Sequence, residues 1–266
     1  MVGRMGVIGG SGLEDLARGT RHELKTRDRR VFQYYTTESS GVDVIFIPRH
    51  GDEHQNLPLD VPYLDIFKVL KKEGVEAILA FSATGTLDEK VKLSNKKSFV
   101  VPHDSMRGFG FRPISANVEG HPHADVSEPF NEKMRKIILK AGKRLRYQMI
   151  DGGIYVMSEG NQFESKVEIA TLNAILSISE YLNFPGVGHL TRSGAQVGMT
   201  AIKEVILSAE YEIPYALVAC PVNLAAGMSH KRLSHKKDTL RIIEKSKPYI
   251  RELALSTIER MKDVTF

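Results

Sequence analysis

The feature that most constrains this chain is the recurrence of short β-type apolar runs with amphipathic helical stripes between several of them. The runs are Met5–Ile8, Val31–Tyr35, Val42–Ile47, Ala77–Phe81, Ser98–Val101, Ile154–Met157 and Tyr215–Ala219. Each is too short to be a helix of ordinary length, and most are rich in β-branched or aromatic residues. Between them, three stripes recur at helical spacing: Tyr63/Ile66/Phe67/Leu70, Val167/Ile169/Leu172/Ile175/Leu176 and Ile202/Val205/Ile206/Ala209. Strand–helix alternation predicts an α/β fold with a mixed, twisted β-sheet flanked by helices. The two runs between residues 31 and 47 have no helix between them, which predicts an antiparallel portion. Segment 102–129 carries Gly, Pro and His without clear periodicity and reads as a long functional loop. No Pro/Ser-rich linker or repeat interrupts the chain, so residues 1–266 are expected to form a single domain.

Composition decides which functions to set aside. With 42% hydrophobic and 26% charged residues, the chain has the balance of a soluble globular protein. It holds no apolar run near the ~20 residues a membrane span needs. The single cysteine, Cys220, excludes an internal disulfide framework and suits a reducing compartment, so a cytoplasmic location is expected. The formal charge of +5 raises nucleic acid as a partner. However, the basic residues between Lys133 and Arg146 interleave with Met134, Ile137, Ile138, Ala141 and Leu145, which describes the solvated face of an amphipathic helix. Neither nucleic acid nor membrane is expected as a partner.

Small donors gather where strands end. Ile8-Gly9-Gly10-Ser11-Gly12-Leu13 follows the first run, and its glycines let consecutive N–H groups converge on an oxyanion, with the Ser11 hydroxyl added. Pro48-Arg49-His50-Gly51, with His54 beyond, offers a bidentate guanidinium and an imidazole. Phe81-Ser82-Ala83-Thr84-Gly85-Thr86 reads as another strand exit with hydroxyls, and Gly198-Met199-Thr200 precedes Glu204 at helical spacing. Open α/β sheets hold anionic ligands at such strand-end loops.

Taken in order, Ile-Gly-Gly-Ser-Gly-Leu, Arg-His-Gly-x-x-His, Glu159-Gly160-x-x-Phe163-Glu164, Met199-Thr200-x-x-x-Glu204-Val205 and Val222-Asn223-x-Ala225-Ala226-Gly227 resemble the purine nucleoside phosphorylase and methylthioadenosine phosphorylase family, from about residue 5 to residue 240. The resemblance implies that Ser11, Arg49, His50, Ala83 (through its backbone) and Thr200 hold phosphate. It implies that Met199 lies against the ribose and Phe163 against the purine, with Glu164, Asn223 and His50 in the catalytic set. It also implies a homotrimer or hexamer, no metal or organic cofactor, and phosphate as co-substrate. The His121-x-His123 pair lacks a third metal ligand and reads as loop.

Glu164 and Asn223 resemble the pair found in members acting on 6-oxopurines; members acting on 6-aminopurines carry Ser and Asp there. The chemistry agrees. An ionised Glu only accepts, which matches the N1–H of hypoxanthine or guanine, whereas adenine would present a lone pair. The Asn amide can donate to O6 and N7, where negative charge grows as the base leaves. His235 resembles the histidine that contacts a ribose 5′-hydroxyl, with His230 as its rival. The leading expectation is therefore phosphorolysis of inosine and guanosine. The alternatives are a methylthio-nucleoside phosphorylase and, from another class, a non-catalytic purine-nucleoside-binding protein. Several positions depart from the family pattern. Asn161-Gln162 stands where relatives carry Pro-Arg or Pro-small, Pro62 precedes Tyr63 in place of Asn, Lys203 replaces Pro ahead of Glu204, and the Asp usual shortly before Met199 is missing.

Overall fold

The computed structural model describes residues 2–10, 12–91, 93, 97–118, 123–182, 193–229 and 239–266. Ser11, His121, His230 and His235 lie outside the described residues.

Strands β1 (Arg4–Gly9), β2 (Thr20–Lys25), β3 (Val31–Ser39), β4 (Val42–Pro48), β5 (Ala77–Thr86), β6 (Ser98–Val101), β7 (Asp104–Arg107), β8 (Gln148–Asp151), β9 (Ile154–Met157), β10 (Gln196–Gly198) and β11 (Tyr215–Leu224) form one sheet. Its main path runs β2-β3-β4-β1-β5-β10-β9-β7, while β11, β6 and β8 branch from β5. The pairing is mixed: β4-β1-β5-β11 is parallel, and β2-β3-β4 is antiparallel, as residues 31–47 led one to expect. Among the described residues, five α-helices flank it: α1 (Tyr63–Lys72), α2 (Glu132–Arg144), α3 (Lys166–Leu182), α4 (Ala201–Glu210) and α5 (Leu240–Met261).

The two-residue period of a strand decides which helices cover which face. Met5, Val7, Val44, Phe46, Leu79 and Phe81 point to one face and meet Met134 and Ile138 of α2 and Ile250, Leu253 and Ile258 of α5. Their neighbours Ile8, Ile45, Ile47, Ile78 and Ala80 point to the other face, against Ile66, Phe67 and Leu70 of α1 and Ile202, Val205 and Ile206 of α4. A third cluster seats Ile169, Leu172 and Leu176 of α3 on Ile154, Val156 and Val197.

Three sequence expectations are corrected. The α3 stripe is narrower than its pattern, since Val167 and Ile175 are exposed while Ile169, Leu172 and Leu176 are buried. Segment 102–129 is not all loop, because Asp104–Arg107 pairs in parallel with β9. Residues 81–86 are not a strand exit: β11 stays paired with β5 as far as Thr86, so the hydroxyls project from the strand itself. Among the described residues, no helix is long and apolar enough to cross a membrane.

The pairing of β5 opens the site. Its first half, Ala77–Ala80, pairs with β1, but Gly85 and Thr86 pair with β10 instead, running antiparallel. The sheet therefore splits beyond the carboxyl end of β1, where open α/β sheets leave a crevice for ligands.

Candidate active site

A cavity of about 280 Å³ occupies that split. Gly10 after β1, Arg49 and His50 after β4, Phe81–Gly85 of β5, Phe163 and Glu164 ahead of α3, Gly198–Thr200 at the end of β10 and Asn223 of β11 all line it. The cavity thus brings together every described residue that the sequence assigned to the site: Arg49, His50, Ala83, Phe163, Glu164, Met199, Thr200 and Asn223.

Arg49 is buried, at 3% exposure, which rules out a surface arginine. Its Nε donates to Glu204 of α4, its Nη2 donates to the same carboxylate at 3.0 Å, and its Nη1 donates to the Phe81 carbonyl at 2.7 Å. Burial disfavours the cation, but the Glu204 carboxylate outweighs it and holds the guanidinium pKa above its ordinary value. A guanidinium has five N–H donors, so one on each terminal nitrogen is left for a ligand. Glu204 takes the Nε/Nη2 fork, so Arg49 would meet an anion through the remaining N–H on each terminal nitrogen. Tyr215 completes the pair, its hydroxyl donating to Glu204 at 2.8 Å.

The glycine turn is likewise partly engaged. The Gly12 N–H donates to the Glu14 carboxylate at 2.9 Å and the Leu13 N–H to the Gly10 carbonyl at 3.1 Å. Gly12 is required by its φ of +97° and by α5, since a Cβ there would lie 3.0 Å from Ile250. His50 donates from Nδ1 to the Asn56 carbonyl at 2.8 Å, which fixes a proton on that nitrogen. Its ring stacks on His54 with centroids 6.1 Å apart.

Thr200 precedes the first turn of α4. Its N–H and that of Ala201 donate to the Tyr155 hydroxyl at 3.4 and 3.3 Å. Orphan donors at this helix start are therefore partly satisfied from within. Gly198 makes room for that hydroxyl, because a Cβ there would sit 2.1 Å from it.

β5 acts as a ruler along the cavity. Phe81, whose carbonyl holds Arg49, and Gly85, which underlies Asn223, are four residues apart, or ~13 Å along a strand. Asn223 is aimed by an irregularity in the β5–β11 register: Pro221 faces Thr84 while Asn223 faces Gly85, so Val222 is the extra residue. Proline cannot donate to the ladder and is tolerated at such a bulge, which turns the following side chain. One Asn223 amide hydrogen goes to the Leu224 carbonyl at 2.7 Å, and Gly85 has no Cβ to collide with Nδ2.

Glu164 lies at the same end. It neighbours the Ser158 hydroxyl, and the Ser158 N–H donates to the Gly198 carbonyl at 3.0 Å, next to the Val197–Gly85 pairing. Burial raises the Glu164 pKa above the usual carboxylate range, against the lowering effect of its own backbone N–H and of Ser158.

Sequence reasoning did not assign the partners that hold these groups. Tyr215 gave no signal of its own, and Glu204 entered only as part of a motif. The α5 wall of Leu240, Ile243 and Ile250 was not foreseen either, nor was Cys220 as a lining residue. Burial pushes the Cys220 thiol up to about 12. Among the described residues, no group of three or more His, Cys, Asp or Glu could hold a metal ion.

A family model described as the phosphorylase superfamily matches residues 4–259. A probable S-methyl-5′-thioinosine phosphorylase from Methanopyrus kandleri is 31% identical over 96% of this chain and 91% of its own length. The 6-oxopurine nucleoside phosphorylase of Pyrococcus furiosus is 30% identical, with 96% and 92% covered. Among solved structures, a methylthioadenosine phosphorylase from Schistosoma mansoni in complex with adenine has a TM-score of 0.79 at 22% identity, covering 98% of this chain and 92% of that one. At that identity the likeness speaks for the fold alone.

Proposed function

The chain belongs to the phosphorylase superfamily, and from that premise we propose that it cleaves 6-oxopurine nucleosides, inosine and guanosine, by phosphorolysis. Phosphate attacks C1′, the C1′–N9 bond breaks with its electron pair leaving on the purine, and the products are free base and ribose 1-phosphate. The observation that carries this reading is the pairing of an acceptor-only Glu164 with an Asn223 donor at one end of a cavity whose other end holds a buried arginine. Glu164 accepts from N1–H of the base, and Asn223 donates to O6 or N7 as charge develops there. Arg49, His50, Thr200, Ser11 and the Ala83 backbone form the phosphate seat, Phe163 covers the purine and Met199 the ribose. The phosphate serves as nucleophile and as counter-charge to an oxocarbenium-like sugar, as glycosidic cleavage requires.

A second reading draws on the α5 wall. Leu240, Ile243, Ile250 and Val222 give one side of the cavity an apolar lining, which favours a 5′-methylthio group over a 5′-hydroxyl on the same 6-oxopurine nucleoside. His235 and His230, the candidates for a 5′-hydroxyl contact, lie outside the described residues. The test is release of free base from inosine, guanosine, 5′-methylthioinosine, adenosine and 5′-methylthioadenosine, each with and without phosphate. Phosphate-dependent cleavage led by inosine and guanosine is the expected result. A lead by 5′-methylthioinosine selects the second reading, and a lead by either adenine nucleoside removes both.

A further inference from the structure

Just outside the cavity, two departures from ordinary surface chemistry meet. Glu159 follows β9 with its side chain 2% exposed, and it forms an ion pair with Lys203 of α4, whose side chain is 10% exposed. The Lys203 Nζ also lies 5.4 Å from the centroid of the Tyr63 ring of α1. The other Glu159 oxygen accepts the Arg112 backbone N–H, and the Arg112 Nε stands 3.7 Å from the carboxylate. A buried ion pair is poor evidence for stability, because desolvation offsets most of its attraction; its better-attested use is to fix one geometry. Neither residue lines the cavity.

What the pair joins is specific. Ser158 and Glu159 begin the segment that runs from β9 to Phe163 and Glu164 in the cavity wall, and so belong to the base seat. Lys203 stands in the first turn of α4, its N–H donating to the Thr200 carbonyl at 3.3 Å, and so belongs to the phosphate seat. Resting on the phosphorolysis reading, we infer that Glu159 and Lys203 are positioning residues that clamp the base seat to the phosphate seat, so that occupying one seat orders the other. Loop 109–116 is the outer half of the clamp, held down at Arg112 by Glu159 and at Ala116 by Glu210.

The test is calorimetric binding of hypoxanthine with and without saturating inorganic phosphate. For the unsubstituted protein, phosphate tightens hypoxanthine within the ~5- to 150-fold span typical of coupled sites. Lys203→Met and Glu159→Gln each bring that factor close to one, while Lys203→Arg, which keeps the charge, retains it. A pair that served only to hold the fold together would lower the melting temperature and leave the factor unchanged. Retention of the full factor by folded Lys203→Met or Glu159→Gln overturns the inference, as does an absence of coupling in the unsubstituted protein, and in both cases the phosphorolysis reading stands. Failure of the unsubstituted protein to bind hypoxanthine at all removes both.

Discussion

Replacing Glu204 by Gln keeps the shape of the side chain and deletes the charge that faces Arg49. Both partners are almost wholly buried, with side chains 4% and 2% exposed, so water cannot screen the change. The guanidinium cannot shed its proton to escape, since arginine stays charged in proteins. Removing one partner of a buried pair costs ~3–5 kcal/mol. The Gln carbonyl can still accept from Arg49 and Tyr215, so the lower end, ~3 kcal/mol, applies. For a chain of this size each kcal/mol moves the midpoint by ~2–4 °C, which predicts a fall of ~6–12 °C. Phosphate then acts as a replacement counter-charge. A ligand at a hundred times its Kd adds ~2.7 kcal/mol to any native state, and the unpaired Arg49 makes that gain larger in the variant than in the parent. Thermal unfolding near neutral pH, with and without phosphate, reads both quantities. A midpoint within ~2 °C of the parent, or a smaller phosphate-induced rise in the variant, refutes the assignment of Arg49 as a buried cation shared between Glu204 and a ligand.

Three further substitutions probe the other end of the cavity and its support. Glu164→Gln lowers kcat/KM for inosine by about 10- to 100-fold, the loss of a charged acceptor, and removes the acidic limb of the pH–rate profile. In the parent that limb begins above the ordinary Glu range, because burial has raised the Glu164 pKa and only the ionised form accepts from N1–H. The sign for stability is opposite. A folded-state carboxyl pKa raised above its unfolded value means stability falls as pH rises between the two, so ligand-free Glu164→Gln melts higher than the parent at neutral pH. Asn223→Asp shifts the ratio of adenosine to inosine cleavage toward adenosine, as competition assays with both nucleosides would show. Gly198→Ala drives a Cβ into the Tyr155 hydroxyl, 2.1 Å away, and lowers stability by ~1–3 kcal/mol in denaturant titration, with phosphate affinity falling as Thr200 shifts.

The sequence was most legible where one residue type serves one physical need. Ile8, Ile45 and Ile47 alternate with Val7, Val44 and Phe46 in near-continuous apolar runs, and the helical stripes between such runs announced a sheet covered on both faces. Strand-end donors also announced themselves, because Arg49 and Thr200 follow apolar runs that have no local use for them. What stayed hidden depends on contacts between distant segments. β10 is only three residues, Gln196–Gly198, and its pairing with β5 cannot be foreseen from so short a run. β2 is half exposed and carries Arg21, His22, Glu23 and Lys25, which leaves no apolar alternation to detect. α5 carries Pro248 in its interior, a residue that ordinarily ends a helix, although Ile250, Leu253, Ala254 and Ile258 keep helical spacing after it. The Arg49–Glu204 pair spans 155 residues, and neither residue type alone distinguishes a buried pair from two solvated charges.

The distribution of buried charge supports a cavity built for use. A fold optimised for stability alone would fill these positions with apolar side chains, since a buried ion pair is commonly no better than well-packed hydrophobes. Here Arg49 pairs with Glu204, and Glu159 with Lys203, both in the first turn of α4 after Thr200, while Glu164 is held partly out of water with its pKa raised. Arginine and lysine fix two carboxylates, while Tyr215 donates to Glu204, the Tyr63 ring lies near the Lys203 ammonium and the Tyr155 hydroxyl accepts from Thr200. Perturbed ionisable groups gathered around one crevice are what a reacting centre needs, because charge that develops during bond cleavage is best met by groups already in place. The cost in stability and the use in chemistry fall on the same residues. For that reason Glu164→Gln is expected to gain in melting temperature what it loses in rate, a trade that a merely structural carboxylate would not make.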